Sequence, residues 1–231
     1  MTNETKFLIS VCRSAEKLIS KNFTMQDKDN KGDIVTCLDV EIEKHIVSKM
    51  QKKYPTFKIL GEELNTTIGD AKDYFTIDPI DGTINFAYGL PMWGIMVACV
   101  RDGKTVSSVI SLPRFNEIYY ADEFGAFCDG NKIQVNSTHP VEKSIFASNN
   151  FFLDIDKKYK RMFANAAVNY CWVANGSLAG VVSGTRNPWS YICGRYLIEK
   201  AGGYILKTDD YIVMASSKPH AEFISGHMQP I

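Results

Sequence analysis

Ile77-Asp78-Pro79-Ile80-Asp81-Gly82-Thr83-Ile84-Asn85-Phe86 sets two acids three residues apart at the end of a strand-like run. Pro79 fixes its own φ and biases Asp78 toward an extended backbone, while Gly82 permits a sharp turn. Such a turn can aim both carboxylates and the Ile80 carbonyl at one point. These are hard oxygen donors of the kind Mg²⁺ takes, alongside water and substrate phosphate. If Thr83 begins a helix, the Gly82 and Thr83 amides make an anion site beside the metal. Taken singly, Asp-Pro and Asp-Gly are ordinary turn dipeptides. Upstream, however, Gly61-Glu62-Glu63 closes another strand-like run and supplies a further carboxylate. Acids in order, at strand ends, point to metal chemistry where each dipeptide alone does not.

Working outward, Phe7, Leu8, Val11, Cys12, Ala15, Leu18 and Ile19 fall on one helical face. Thr36 and Asp39 form a capping box ahead of a second amphipathic helix carrying Ile42, Ile46, Val47 and Met50. After Pro55 the pattern predicts short strands over 57–60, 74–77, 93–100, 106–112 and 118–121. Asp129-Gly130 is a hairpin turn signal leading into the alternating run Lys132-Ile133-Gln134-Val135. Further on, strand runs (145–147, 204–206) mix with helical ones (165–177, 190–201). Elements come in blocks with few strict βα alternations, so the expected class is layered α+β. The one candidate boundary lies at 136–143. It divides the chain into an α+β half over 1–136, carrying the acids, and a smaller half over 137–231 completing a substrate cleft.

The chain has 231 residues, 26 Lys and Arg against 26 Asp and Glu, and 45% hydrophobic residues. That composition excludes disorder, collagen-like repeats and a coiled coil. Balanced charge removes the footprint of a nucleic-acid binder. The densest apolar stretch, 93–100, is far shorter than the roughly 18 residues of a membrane span. No apolar signal core follows Met1 to Lys6. The six cysteines include no CxxC, which together predicts a reducing cytoplasmic setting. Asp27 to Gly32 begins like a calcium loop, but Lys31 and Leu38 stand where oxygen ligands are required. Gly125 to Asn131 mimics a phosphate-binding loop with Asn131 in place of its lysine. Gly176-Ser177-Leu178-Ala179-Gly180 has its serine one place too early for a hydrolase elbow, and His45, His139, His220 and His227 form no metal-binding pair.

The string Asp78-Pro79-Ile80-Asp81-Gly82-Thr83 followed by Asn85-Phe86 resembles, without a gap, the first signature of the inositol monophosphatase-like, Mg²⁺-dependent, lithium-sensitive phosphatases. Gly61-Glu62-Glu63 is similar to the acidic motif before it, and Thr36 to Asp39 to the family's helix-start motif. Gly176-Ser177 and Ala201-Gly202-Gly203 are similar to later segments. The resemblance implies a layered α-β-α-β-α sandwich, often a homodimer, and a small phosphorylated substrate. It also implies that Glu62, Asp78 and the Ile80 carbonyl hold one Mg²⁺ and Asp78 with Asp81 a second. Glu62 would also face a weaker third ion. Asp39 and Thr83 would orient and help deprotonate the attacking water. Asp81, Gly82, Thr83 and Ser190 would lie against the substrate, with the Gly82 and Thr83 amides on its phosphate.

This chain departs from the family in several places. The family's second signature carries Trp-Asp, whose acid completes the second metal; here Pro188-Trp189-Ser190 puts a neutral hydroxyl there. Lys200 stands where an acid is common, and the chain is shortened between Gly184 and Pro188, with smaller losses between Asn149 and Arg161. Two readings stay open. One is a Mg²⁺-dependent phosphomonoesterase acting on a small polyol or sugar phosphate. The other is a degenerate member that binds metal or phosphate with little turnover and serves as a regulatory or interaction protein.

Overall fold

The computed structural model describes residues 1–20, 22–27, 34–64, 67–148, 152–184 and 187–229. Most of the calcium-like stretch, and positions 185–186 in the shortened segment, lie outside them. Helix α1 (Asn3–Glu16) is capped by Thr2 and buries Leu8, Val11, Cys12 and Ala15. It ends before Leu18 and Ile19, which still pack half-buried against the same core. A two-stranded antiparallel ribbon, β1 (Met25–Asp27) and β2 (Ile34–Thr36), leads straight into α2 (Cys37–Lys53). The expected capping box forms there: the Thr36 amide donates to Asp39 Oδ2 at 2.8 Å.

A seven-stranded sheet follows in sequence order: β3 (Lys58–Gly61), β4 (Tyr74–Asp81), β5 (Gly94–Arg101), β6 (Lys104–Leu112), β7 (Glu117–Asp122), β8 (Gly125–Cys128) and β9 (Asn131–Lys132). The short helix α3 (Thr83–Ala87) sits between β4 and β5. All neighbours are antiparallel except β3 and β4. The alternating run at 132–135 gives strand only to Lys132. Beyond it the Ile133 amide still donates to the Ala126 carbonyl of β8 at 3.0 Å, the Val135 amide turns to the Ala201 carbonyl at 3.0 Å, and both side chains pack against the α4–α5 core described below.

The second half supplies β10 (Phe146–Ser148), β11 (Phe152–Leu153), β12 (Lys160–Arg161), α4 (Ala166–Ala174), β13 (Gly180–Gly184), α5 (Pro188–Lys200), β14 (Tyr204–Lys207), β15 (Tyr211–Ala215), α6 (Lys218–Gly226) and β16 (Met228–Gln229). Five of these strands form a sheet in the order β12-β10-β13-β15-β14, and β11 pairs with β16. Alternation along single strands fixes the layers. On β5, Ile95, Val97 and Cys99 join the core under α1 and α2, whereas Met96 and Ala98 join the core of α4 and α5. On β15, Ile212 and Met214 face that same α4–α5 core, and Val213 and Ala215 face α6. Full burial of each isoleucine, valine or methionine among them stabilises by roughly 1.5–3 kcal/mol. The layers therefore run α-β-α-β-α. None of the six cysteines is in a disulfide. Among the described residues no helix is long and apolar enough to cross a membrane.

Candidate active site

Strand register brings the acids together. Parallel pairing sets Gly61 opposite Ile77, so Glu62 and Asp78, one step further on, come side by side, and the Glu62 amide donates to the Ile77 carbonyl at 3.2 Å. Strand alternation would place Asp78 and Asp81 on opposite faces. Between them, however, three steps on β4 match only two on β5, from Met96 to Gly94. That bulge, between Asp78 and Asp81, restores both acids to the face covered by α4 and α5, while Ile77 and Ile80 point into the opposite core. Gly82 then turns with φ 88° as the N-cap of α3. A Cβ there would lie 2.6 Å from Asn165 Nδ2 and 3.0 Å from the Met92 carbonyl, so glycine is required twice over.

Asp78 is 1% exposed. Its Oδ2 accepts from Ser190 Oγ at 2.6 Å, and its Oδ1 is buried without a hydrogen-bond partner among the described residues. Burial pushes its carboxyl well above the usual carboxylate range, and the neighbouring Glu62 and Asp81 charges push it further. Asp39 is fully buried one wall away; its Oδ2 is held by the Thr36 amide and hydroxyl, and its Oδ1 lies 3.2 Å from Thr83 Oγ1. Burial raises the Asp39 carboxyl too, opposed by these hydroxyl and amide donors. Thr83 Oγ1 also lies 3.0 Å from the Ile80 carbonyl. One hydroxyl proton cannot serve both acceptors at once, so it can switch between them.

Asp81 is placed differently. Its Oδ2 accepts from the amides of Ala166 (2.8 Å) and Ala167 (2.6 Å) at the start of α4, and from Asn165 Nδ2. Burial raises its carboxyl, and the α4 amides oppose the rise. Among the described residues no trio of His, Cys, Asp or Glu is arranged to hold a metal ion. Glu62, Asp78 and Ser190 thus gather on one side, Asp39, Thr83 and Ile80 on another, and Asp81 faces α4.

Sequence reasoning missed two residues. Glu43, one turn beyond Asp39 on α2, is fully buried and accepts from the amides of Glu63 (2.8 Å) and Leu64 (3.1 Å), holding the loop that carries Glu62. Gly61 packs directly on its carboxylate. The available signal was an acid four residues after Asp39, on the same helical face. Asn165 was read only as the start of a helical run.

The donor set fits a hard divalent cation. Asp78 Oδ1 is buried with no donor among the described residues, and crowded acids raise one another, which is the electrostatic condition that a bound cation relieves.

Residues 2–222 match the model of the inositol monophosphatase family. Over 191 residues the chain is 33% identical to the fructose-1,6-bisphosphatase/inositol-1-monophosphatase of Thermotoga maritima, covering 78% of this chain and 74% of that one. It is 32% identical over 213 residues to inositol monophosphatase 2 of Saccharomyces cerevisiae, covering 78% and 71%. The solved structure of a Thermotoga maritima IMPase aligns with a TM-score of 0.86 at 27% identity, over 97% of this chain and 96% of that one.

Proposed function

The chain belongs to the inositol monophosphatase family, and from that premise we propose that it is a Mg²⁺-dependent phosphomonoesterase acting on a small polyol or sugar phosphate. The observation that carries the reading is Asp78: a buried carboxylate beside Glu62, one of whose oxygens accepts no hydrogen bond from the described residues. Glu62, Asp78 and the Ile80 carbonyl would hold one Mg²⁺, and Asp78 with Asp81 a second. Bound there, Mg²⁺ supplies positive charge for the phosphate and makes nearby water more acidic.

The chain's own groups do the rest. Asp39 is locked by Thr36, and its raised carboxyl suits a base working nearer neutral pH. Thr83 orients the attacking water with its hydroxyl and directs the proton toward Asp39 Oδ1. The Gly82 and Thr83 amides, with Asp81 and Ser190, lie along the phosphate side. Ser190 gives the site one negative charge fewer than a family member with the usual acid. A unit charge pair at 4 Å is worth about 4 kcal/mol even at an effective dielectric of 20. With a hydroxyl at Ser190, this chain's residues would hold a second cation only weakly, which would raise the Mg²⁺ requirement and blunt lithium inhibition.

Ser190 is also the observation favouring the second reading, a member that binds metal or phosphate with little turnover. Phosphate release from a panel of polyol, sugar and nucleotide phosphomonoesters, with and without Mg²⁺, separates them. Mg²⁺-dependent release from at least one polyol or sugar phosphate is expected; no release from any substrate at high Mg²⁺ would leave the binding role standing.

A further inference from the structure

Asn165 lies 84 positions from Asp81 in the chain, yet its side chain binds that residue twice. Nδ2 donates to the Asp81 main-chain carbonyl at 2.7 Å and to Asp81 Oδ2, while Oδ1 accepts from the Val168 amide at 2.6 Å as the N-cap of α4. The orientation of the amide follows from its partners. The Val168 N–H needs an acceptor, and the Asp81 carbonyl and Oδ2 need a donor, so only one of the two flips satisfies every contact. The side chain is buried, and the space it fills against the turn is the space a Cβ on Gly82 would occupy.

Two further donors, the Ala166 and Ala167 amides, complete the shell around Asp81 Oδ2 at the positive end of α4. None of the described residues donates to Oδ1. A carboxylate so anchored can neither rotate nor offer both oxygens to one ion. That restriction discriminates between cations. Mg²⁺ and ions that mimic it require near-octahedral geometry from single oxygens, whereas Ca²⁺ accepts bidentate carboxylates and irregular shells.

We propose that Asn165 is a positioning residue that restricts Asp81 to a single oxygen, Oδ1, and thereby selects Mg²⁺ over Ca²⁺ at this site. The inference rests on the metal-dependent reading above.

Asn165→Ser isolates the effect. Serine still caps α4 but is too short to reach Asp81. Asn165→Asp also keeps the cap and sets a like charge against Asp81. The probe is Mn²⁺ binding to the metal-free protein, followed by electron paramagnetic resonance without substrate, with Mg²⁺ and Ca²⁺ as competitors. Thermal melts accompany each variant, and kcat and KM are measured separately. Asn165→Ser is expected to melt cooperatively and to bind Mn²⁺ roughly 10–100-fold more weakly, as removal of a ligand's supporting partner does. Ca²⁺ should gain on Mg²⁺ as a competitor, and kcat should fall by a larger factor than KM rises. Asn165→Asp should lose more Mn²⁺ affinity than Asn165→Ser. Unchanged Mn²⁺ affinity and unchanged Ca²⁺/Mg²⁺ competition in Asn165→Ser would overturn the proposal. So would an equal loss for all three ions that is the same in both variants, since that marks a structural role alone. A wild-type protein that binds no Mn²⁺ would overturn the metal-dependent reading, and this inference with it.

Discussion

The strand-end wall of the site and the helix wall that faces it meet at Asp78, and they are built on different terms. On the strand side, position and charge come together: register pairs Glu62 with Asp78, the bulge turns Asp81 to the same face, and Glu43 pins the intervening loop. On the helix side, position comes without charge. Ser190 stands over Asp78 with a 2.6 Å hydrogen bond, supplied by a hydroxyl. Its placement follows from packing, because Gly194, four residues on, lets the Tyr170 ring of α4 lie flat against α5. The contrast shows that fold geometry holds a residue at a site without fixing what that residue brings to it. A hydroxyl there satisfies one oxygen of Asp78 and leaves the other to find its counter-charge elsewhere.

The comparison breaks most visibly at Asp78. Asp78→Asn is expected to lower phosphate release by at least about a hundredfold, more than loss of a supporting partner alone would cost. The metal-free variant should be no less stable than wild type, because it removes a buried carboxylate crowded by Glu62 and Asp81. Turnover assays and urea unfolding on the same preparation check both halves; unchanged turnover would place the chemistry elsewhere.

Gly194→Ala probes how the helix wall is set. A Cβ there collides with the Tyr170 ring, so unfolding free energy is expected to fall by about 1–3 kcal/mol as α5 shifts. Urea titration reads the loss, and a variant as stable as wild type would mean that this contact does not fix the register of Ser190.

How much of this was legible beforehand follows the same division. The strand-side motif was readable because Asp78, Pro79, Asp81 and Gly82 carry their geometry locally, as does the Thr36–Asp39 box. Glu43 and Asn165 acquire their roles only when distant segments meet: Asn165 donates to a residue 84 positions away. The bulge between Asp78 and Asp81 leaves no mark in the apolar pattern. Strands β13 and β15 escaped because their two faces are both covered, so Val181 and Val182, or Val213 and Met214, show no polar alternation. The short helix α6 carries few apolar residues on its buried face, with Ala221 and Ile224 buried beside His220. The run at Lys132 to Val135 alternates as a strand does, but its apolar side chains are drawn to the α4–α5 core instead.

Smaller effects sharpen the picture of the second half. Ala164, next to the α4 cap, holds a left-handed φ of 51°. Ala164→Gly should relieve most of that strain and stabilise by up to about 1 kcal/mol, raising Tm by roughly 2–4 °C. A lower melting temperature would mean that the alanine side chain contributes packing that outweighs its backbone cost.

His220 tests the α6 layer. Its ring is sandwiched between Ser144 Oγ (3.2 Å from Nε2) and Ser217 Oγ (2.7 Å from Nδ1), with His139 and Glu142 the titratable groups that act on it. Burial holds its pKa below the ordinary 6.5. The unfolded chain therefore takes up the proton first as pH falls. Its contribution to stability is intact above pH 6.5 and is lost as pH drops through the depressed value. Urea midpoints at pH 7.5 and about 5.5 should differ less in His220→Gln than in wild type. Equal differences would show that His220 titrates alike in both states.

The central claim is that the strand wall carries a phosphatase site to which the helix wall brings only a neutral hydroxyl at Ser190. Its most direct test is a Mg²⁺ titration of phosphate release by wild type and Ser190→Asp, on one substrate that wild type hydrolyses, with and without lithium. The account predicts that Ser190→Asp reaches half-maximal activity at a lower Mg²⁺ concentration, turns over faster and becomes more sensitive to lithium. Superimposable curves for the two proteins would contradict it.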